Sequence, residues 1–305
     1  MSAFPLPRGI DHIVHAVRDL DAAGAFYDRL GFRVGAHNRH SWGTHNRIVQ
    51  FADSFVELLT VAEPEKIVPI APRKYSFGAF NRDFLARAEG LSMLVLEGRK
   101  PGGDAEEFRA AGIGDFEPFR FEREGRRPDG TPLRVAFTLS FAVDPKAPDA
   151  GFFTCHHHHP ENFWNPAFWD HPNGVQAVAG VVLVAENPSD HHIFLSAFVG
   201  ERELLSSSSG ITVKTPHGEI QVMDEAAFRA HFGNAPSRGG EPFGTASPAA
   251  HGGGARLAAL RFATRDLGAA DRTLKASGIA YASHMGRLVV GPQAAMGATL
   301  VFEAA

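Results

Sequence analysis

A histidine inside a strand-like run, a glutamate inside an apolar one, and a cysteine followed by four histidines are the residues whose types invite chemistry. His12 stands in IDHIVHAV (Ile10–Val17), β-branched and apolar enough to be a strand, where a polar ring needs a hydrogen-bond partner or a metal. Glu57 stands in FVELLTV (Phe55–Val61), where an unpaired carboxylate is costly. The run GFFTCHHHHPENFW (Gly151–Trp164) reads as a strand ending at a proline. Alternation turns Cys155, His157 and His159 to one face and His156 and His158 to the other, so a single site can use only one set. Imidazole with carboxylate is a donor set for Fe, Mn, Ni, Co or Zn.

The elements that must position these residues repeat along the chain. After the first strand, Asp19 offers an N-cap, and Leu20, Ala23, Phe26, Tyr27 and Leu30 recur at helical spacing before Gly31. Strands are expected at Phe32–Val34, near Arg47–Phe51 and at Phe55–Val61, giving β-α-β-β-β; Glu63–Arg82 reads as an irregular loop. Near the other end, RDLGAADRTLKASGIA (Arg265–Ala280) repeats RDLDAAGAFYDRLGFR (Arg18–Arg33), preceded by a strand at Leu257–Ala263 and followed by three more. Two weaker copies lie between, one running from Leu91 to His157 with its helix at Asp104–Ala111. The other runs from Val178 to Val222 with its helix at Pro188–Val199, whose His191 and His192 are expected to face solvent. Pro160–Gly174 reads as the connection between halves, and Asn234–Gly254, rich in Gly, Pro and Ser, as a linker.

Composition bounds the function. A chain of 305 residues with 44% hydrophobic and 21% charged residues has the balance of a globular protein. Its net charge of -4 is spread without long runs, which argues against nucleic-acid or anionic-lipid partners. The single cysteine, Cys155, excludes an internal disulfide framework and fits a reducing compartment. No stretch approaches a membrane span and the N-terminus lacks the apolar core of a signal peptide, so a cytoplasmic location is expected.

With these motifs in place the chain resembles the vicinal oxygen chelate superfamily of glyoxalases, extradiol dioxygenases and bleomycin-resistance proteins. The resemblance rests on Gly-x-x-His at Gly9–His12, Val-x-Asp-Leu at Val17–Leu20, Phe-Tyr-x-x-Leu-Gly-Phe at Phe26–Phe32, and Glu57. GTHNRIVQFADSFVELL (Gly43–Leu59) looks in particular like the glyoxalase-like branch. The resemblance implies an α+β fold of four βαβββ modules forming two paired, cupped mixed β-sheets flanked by helices. An N-terminal pair would span residues 5–165 and a scaffold-like C-terminal pair residues 173–305.

The resemblance further implies one divalent metal ion in the first cup, held by His12 and Glu57; alternation offers Cys155 or His157 to complete the set, with His157 the preferred third ligand, and His45 and Asn46 in the GTHN run look like pocket-lining groups. His15 falls on the helix-packing face. Aligning FFTC with SFVE puts Cys155 where a module's carboxylate would stand, a departure from the isomerase pattern. Cys155, Glu161 and His171 are the catalytic candidates. Ala259 matches His12 in the last module, and Glu303 there lacks a His partner. The expected activity is lyase or isomerase chemistry on a small molecule that chelates the metal through oxygen atoms. A His-Glu-His set would instead suit an Fe(II) ring-cleaving dioxygenase, and a metal-free fold a small-molecule binding protein. Sheet edges that need covering make a homodimer an expectation too.

Overall fold

Strand β1 (Ile10–Ala16) is buried along its whole length. Asp19 then caps α1 (Leu20–Arg29), its carboxylate accepting the N–H groups of Asp21 and Ala22. The chain leaves the helix through Gly31, whose φ of 84° lies in the left-handed region. A Cβ there would stand 2.9 Å from Thr273 and 3.0 Å from Asn173. β2 (Asn38–Arg39), β3 (Thr44–Gln50) and β4 (Phe55–Val61) complete the first module, and α2 (Phe77–Arg87) leads into the next. That second module is β5 (Gly90–Glu97), α3 (Ala105–Ala110), β6 (Phe119–Arg126), β7 (Pro132–Ala142) and β8 (Gly151–His157), followed by the short helix α4 (Pro160–Phe163). The third has β9 (Val175–Val184), α5 (His192–Val199), β10 (Leu204–Ser207), β11 (Gly210–Lys214), β12 (Glu219–Met223) and then α6 (Glu225–Phe232). The fourth has β13 (Arg256–Thr264), α7 (Leu267–Ala276), β14 (Ala282–His284), β15 (Arg287–Val290) and β16 (Thr299–Ala304). The computed structural model describes residues 7–126, 131–237 and 254–305.

The four modules build two eight-stranded mixed sheets, ordered β2-β3-β4-β1-β5-β8-β7-β6 and β10-β11-β12-β9-β13-β16-β15-β14. At each centre the first strands of two modules pair antiparallel, and each also pairs parallel with the last strand of its own module. One large core joins the backs of the sheets: Ile13, Tyr27 and Phe32 from the first half meet Phe198, Phe262 and Phe302 from the second. Separate apolar clusters fill the opposite face of each sheet. In the first sheet it includes Val14, Met93, Val95 and Phe153, and in the second Val182, Phe228 and Val301. His15 faces the helix side as expected, bonded to the Tyr27 hydroxyl at 2.9 Å and the Met296 carbonyl at 3.0 Å.

Several expectations change. No strand forms at Phe32–Val34, because Phe32 is drawn into the core between the sheets with its ring 5.0 Å from that of Phe262; the pairing strand is β2. The expected loop Glu63–Arg82 instead contains the start of α2, which Ser76 caps by accepting the Ala79 N–H at 3.1 Å. The Asp224-capped α6 is a further helix that spacing did not reveal. His191 is buried rather than exposed, bonded to Asp144 at 2.6 Å. Much of Asn234–Gly254, the expected linker, lies outside the described residues. Among those described, no helix is long and apolar enough to cross a membrane.

Candidate metal centre

The site begins with an irregularity in β1. Its register on β5 passes from Ile10↔Leu96 to His12↔Val95, so Asp11 is an extra residue in a β-bulge. On a regular strand Asp11 and His12 would point to opposite faces. Here the Asp11 carboxylate accepts His12 Nδ1–H at 2.5 Å and His157 Nε2–H at 2.9 Å. Burial alone would raise the Asp11 carboxyl, but the two imidazoles outweigh it and hold it at about 2. Asp11 is therefore an anion at neutral pH, and its bond to Nδ1 leaves Nε2 as the ring atom turned toward Glu57. The ring is clamped between Phe55, stacked at 4.2 Å, and Phe153, edge-on at 5.5 Å.

His12 Nε2 faces Glu57 Oε2 at 3.7 Å, beyond hydrogen-bond reach. Glu57 comes from β4, whose parallel register places it beside Val14. Its other oxygen accepts the Asn46 amide at 2.5 Å, and that amide also reaches His40 Nε2 at 3.4 Å. Burial pushes the Glu57 carboxyl upward, against the influence of His12 and Asn46. Burial also lowers His40, to about 3, so its ring is neutral; Nδ1 bonds the Thr44 hydroxyl at 2.8 Å.

These groups line a cavity of ≈ 60 Å³, walled by Phe77, Phe121 and Phe137 and reached by Arg123 from β6. A larger cavity of ≈ 290 Å³ shares Ile48, Arg123 and Phe163 with it. The α2 helix thus supplies a wall of the cup through Phe77.

Of the residues expected from the sequence, the fold brings His12, Glu57 and Asn46 together. His157 joins them only through Asp11, and its Nδ1 is buried without a partner among the described residues. Ligand atoms of Asp11, Cys155 and His157 lie within 4.8 Å of one another. The Cys155 thiol is pushed well up by burial, and further by the charges of Asp11 and Glu57, so it is protonated. The proposed equivalence of Cys155 and Glu57 is off by two residues. Glu57 lies beside Val14, and the residue beside Val95, the counterpart of Val14, is Phe153; Met93 likewise matches His12. His45 sits on β3 bonded to His37 at 2.9 Å and does not line the cavity. Glu161 is exposed on α4. His171 lies in the core between the sheets, accepting the Arg33 N–H and donating to the Gln50 carbonyl, both at 3.0 Å. Spacing did not single out Asp11, His40 or Arg123; the Asp-His dipeptide was the one available signal for the first.

The second cup differs. At its centre Arg261 bonds Glu219, Gln221 (2.9 Å) and Glu303 (2.5 Å), and Arg287 bonds Glu303 at 2.9 Å. Its charges neutralise one another, and Ala259 replaces the histidine.

Comparison with known proteins places this geometry. The chain is similar in structure to a hypothetical protein from Staphylococcus aureus, at 12% identity over 97% of this chain and 99% of that one (TM-score 0.62). It is also similar to a mutant 4-hydroxymandelate synthase from Streptomyces coelicolor, at 12% identity over 99% and 94% (TM-score 0.54). A third match is the Mn(II)-bound glyoxalase from Novosphingobium aromaticivorans, at 13% identity over 97% and 82% (TM-score 0.51). At these identities the likeness is one of fold. No curated protein sequence matches the chain. The family model described as a glyoxalase-like domain matches residues 10–198, and the chain belongs to that family, within the vicinal oxygen chelate superfamily.

Proposed function

We propose that this protein is a metal-dependent enzyme whose N-terminal cup holds one divalent ion between His12 Nε2 and Glu57 Oε2. Its substrate is a small organic molecule that offers the ion oxygen atoms, and its chemistry is of the lyase or isomerase type. The observation that carries this reading is the face-to-face pair. His12 Nε2, oriented through Nδ1 by Asp11, and Glu57 Oε2 stand 3.7 Å apart, both residues buried, with no hydrogen bond between them. When deprotonated, these two atoms would be ligands for a divalent cation. The donor set suits Mn, Fe, Co, Ni or Zn. When bound, the ion supplies Lewis-acid stabilisation of charge developing on substrate oxygen.

The remaining work falls to the chain's own residues. Asp11 orients His12, while Asn46 orients Glu57. His40, neutral at physiological pH, places Nε2 beside the Asn46 amide on the cavity wall and helps to fix the group that orients Glu57. The phenylalanine walls exclude water and favour an apolar substrate body. In this reading residues 5–165 are the catalytic unit, and residues 173–305, with the self-neutralised cluster around Arg261, are scaffold.

His157 bonds Asp11 instead of completing a His-Glu-His set, which favours lyase or isomerase chemistry over ring-cleaving dioxygenation. One observation favours a second locus for the ion, the approach of Asp11, Cys155 and His157. Elemental analysis of the purified protein and three variants separates these readings. Under the first, His12→Ala and Glu57→Gln lose the ion and Cys155→Ala keeps it; the reverse pattern moves the ion to the second locus. A metal-free protein whose His12→Ala variant binds ligands unchanged would be a binding protein instead.

A further inference from the structure

Arg123 is an anomaly in the first cup. Strand β6 presents Phe119, Phe121 and Arg123 at alternate positions, so a guanidinium continues an aromatic row, with Val135 opposite it on β7. Partly buried, it makes no side-chain hydrogen bond or ion pair with any described residue. Other buried or half-buried arginines are ion-paired: Arg8 with Asp104 and Glu107, Arg261 with Glu219 and Glu303. Glu57 acts on Arg123 only from beyond ion-pair distance, and its own oxygens face Asn46 and His12. A desolvated cation without an acceptor is costly, and the fold retains it where both cavities meet. Trp42 lines the inner cavity as well, and its buried indole N–H also lacks an acceptor among the described residues.

We propose that Arg123 binds the carboxylate of the substrate, so that the protein acts on a small monocarboxylate. The organic body occupies the ≈ 290 Å³ cavity, and the reacting oxygens reach His12 and Glu57 through the ≈ 60 Å³ one. The planar fork of a guanidinium matches the two oxygens of a carboxylate, and one arginine balances one negative charge. A phosphate dianion would leave charge uncompensated. The placement of the reacting oxygens rests on the metal reading above; the carboxylate contact does not.

The test uses the full chain, metal-free and metal-loaded, with benzoate, phenylacetate and 3-phenylpropionate against their amides, and phenylphosphonate as a dianion. Binding is followed by calorimetry and thermal shift at constant ionic strength. At least one acid is expected to bind roughly tenfold tighter than its amide, with or without metal. Arg123→Met should erase that preference and Arg123→Lys should keep part of it. The wild-type comparison of acid with amide decides the matter even if Arg123→Met does not fold. Equal binding of acids and amides, no binding by any of the three acids, a preference for the phosphonate, or a folded Arg123→Met protein with the wild-type preference each overturns the proposal. Metal content is measured separately, so loss of the metal reading leaves the acid–amide comparison intact.

Discussion

Replacing Asp11 by Asn tests how the bulge in β1 supports the site. The substitution preserves shape but removes the charge that accepts from His12 at 2.5 Å and His157 at 2.9 Å. Holding the carboxyl at about 2 instead of 3.8 corresponds to on the order of 2 kcal/mol of folding stability at neutral pH. The sign follows from the direction of the shift: the contribution is complete above the unfolded value of 3.8 and is lost as pH falls toward 2. For a chain of this size the neutral-pH loss is a fall of roughly 3 °C in Tm. The Asn side chain also no longer offers His12 Nδ1 a carboxylate, and affinity for a divalent ion should drop roughly 10- to 100-fold. Thermal unfolding followed by circular dichroism, with chelator-competition titration of Mn(II) or Zn(II), reads both effects. Wild-type Tm and wild-type affinity in the Asn variant would refute the role assigned to Asp11. A stability gap that does not narrow on acidification would refute its electrostatic origin.

Other consequences are independent of the metal. His171 is held down to about 4 by burial and is neutral in the fold, so stability is complete above pH 6.5 and declines as pH falls toward 4. His171→Gln should flatten that acid limb by on the order of 2 kcal/mol, read from urea midpoints at neutral and mildly acidic pH; an unchanged slope would count against it. Gly31→Ala should cost roughly 1–3 kcal/mol, because a Cβ would meet Asn173 and Thr273 at a φ of 84°; equal chemical stability would contradict this. Cys155, buried and protonated, should resist iodoacetamide in the native protein and react once it is unfolded. Rapid native labelling, measured by mass spectrometry, would show the thiol to be accessible.

The repeat was the legible part of the fold. Four copies of one pattern announced two sheets, because each module's helix and strands must bury the same faces. His12 and Glu57 were legible because each is a polar side chain in an apolar strand. The sequence hid what depends on register and on distant pairing. The bulge that turns Asp11 toward His12 leaves no mark in composition, and it gives His157 a carboxylate partner in Asp11. Register also decides that Phe153, two residues from Cys155, is the counterpart of Glu57. Arg123 carries no local signal, since only the folding of β6 over the cup brings it near Glu57. The α2 helix was obscured by the prolines before it and by Gly78 and the bulky Phe77 in its first turn. His191 was misread because its partner Asp144 lies 47 residues away, in another module.

The central claim is that one divalent ion sits between His12 and Glu57. Its most direct measurement is the metal content, by elemental mass spectrometry, of wild-type protein and the His12→Ala, Glu57→Gln and Cys155→Ala variants, each purified without added metal and checked for folding. The account predicts close to one ion per chain in the wild type and in Cys155→Ala, and almost none in folded His12→Ala or Glu57→Gln. A wild type without metal that also fails to take up Mn(II), Fe(II), Co(II), Ni(II) or Zn(II), or variants of His12 and Glu57 that keep a full complement, would contradict it.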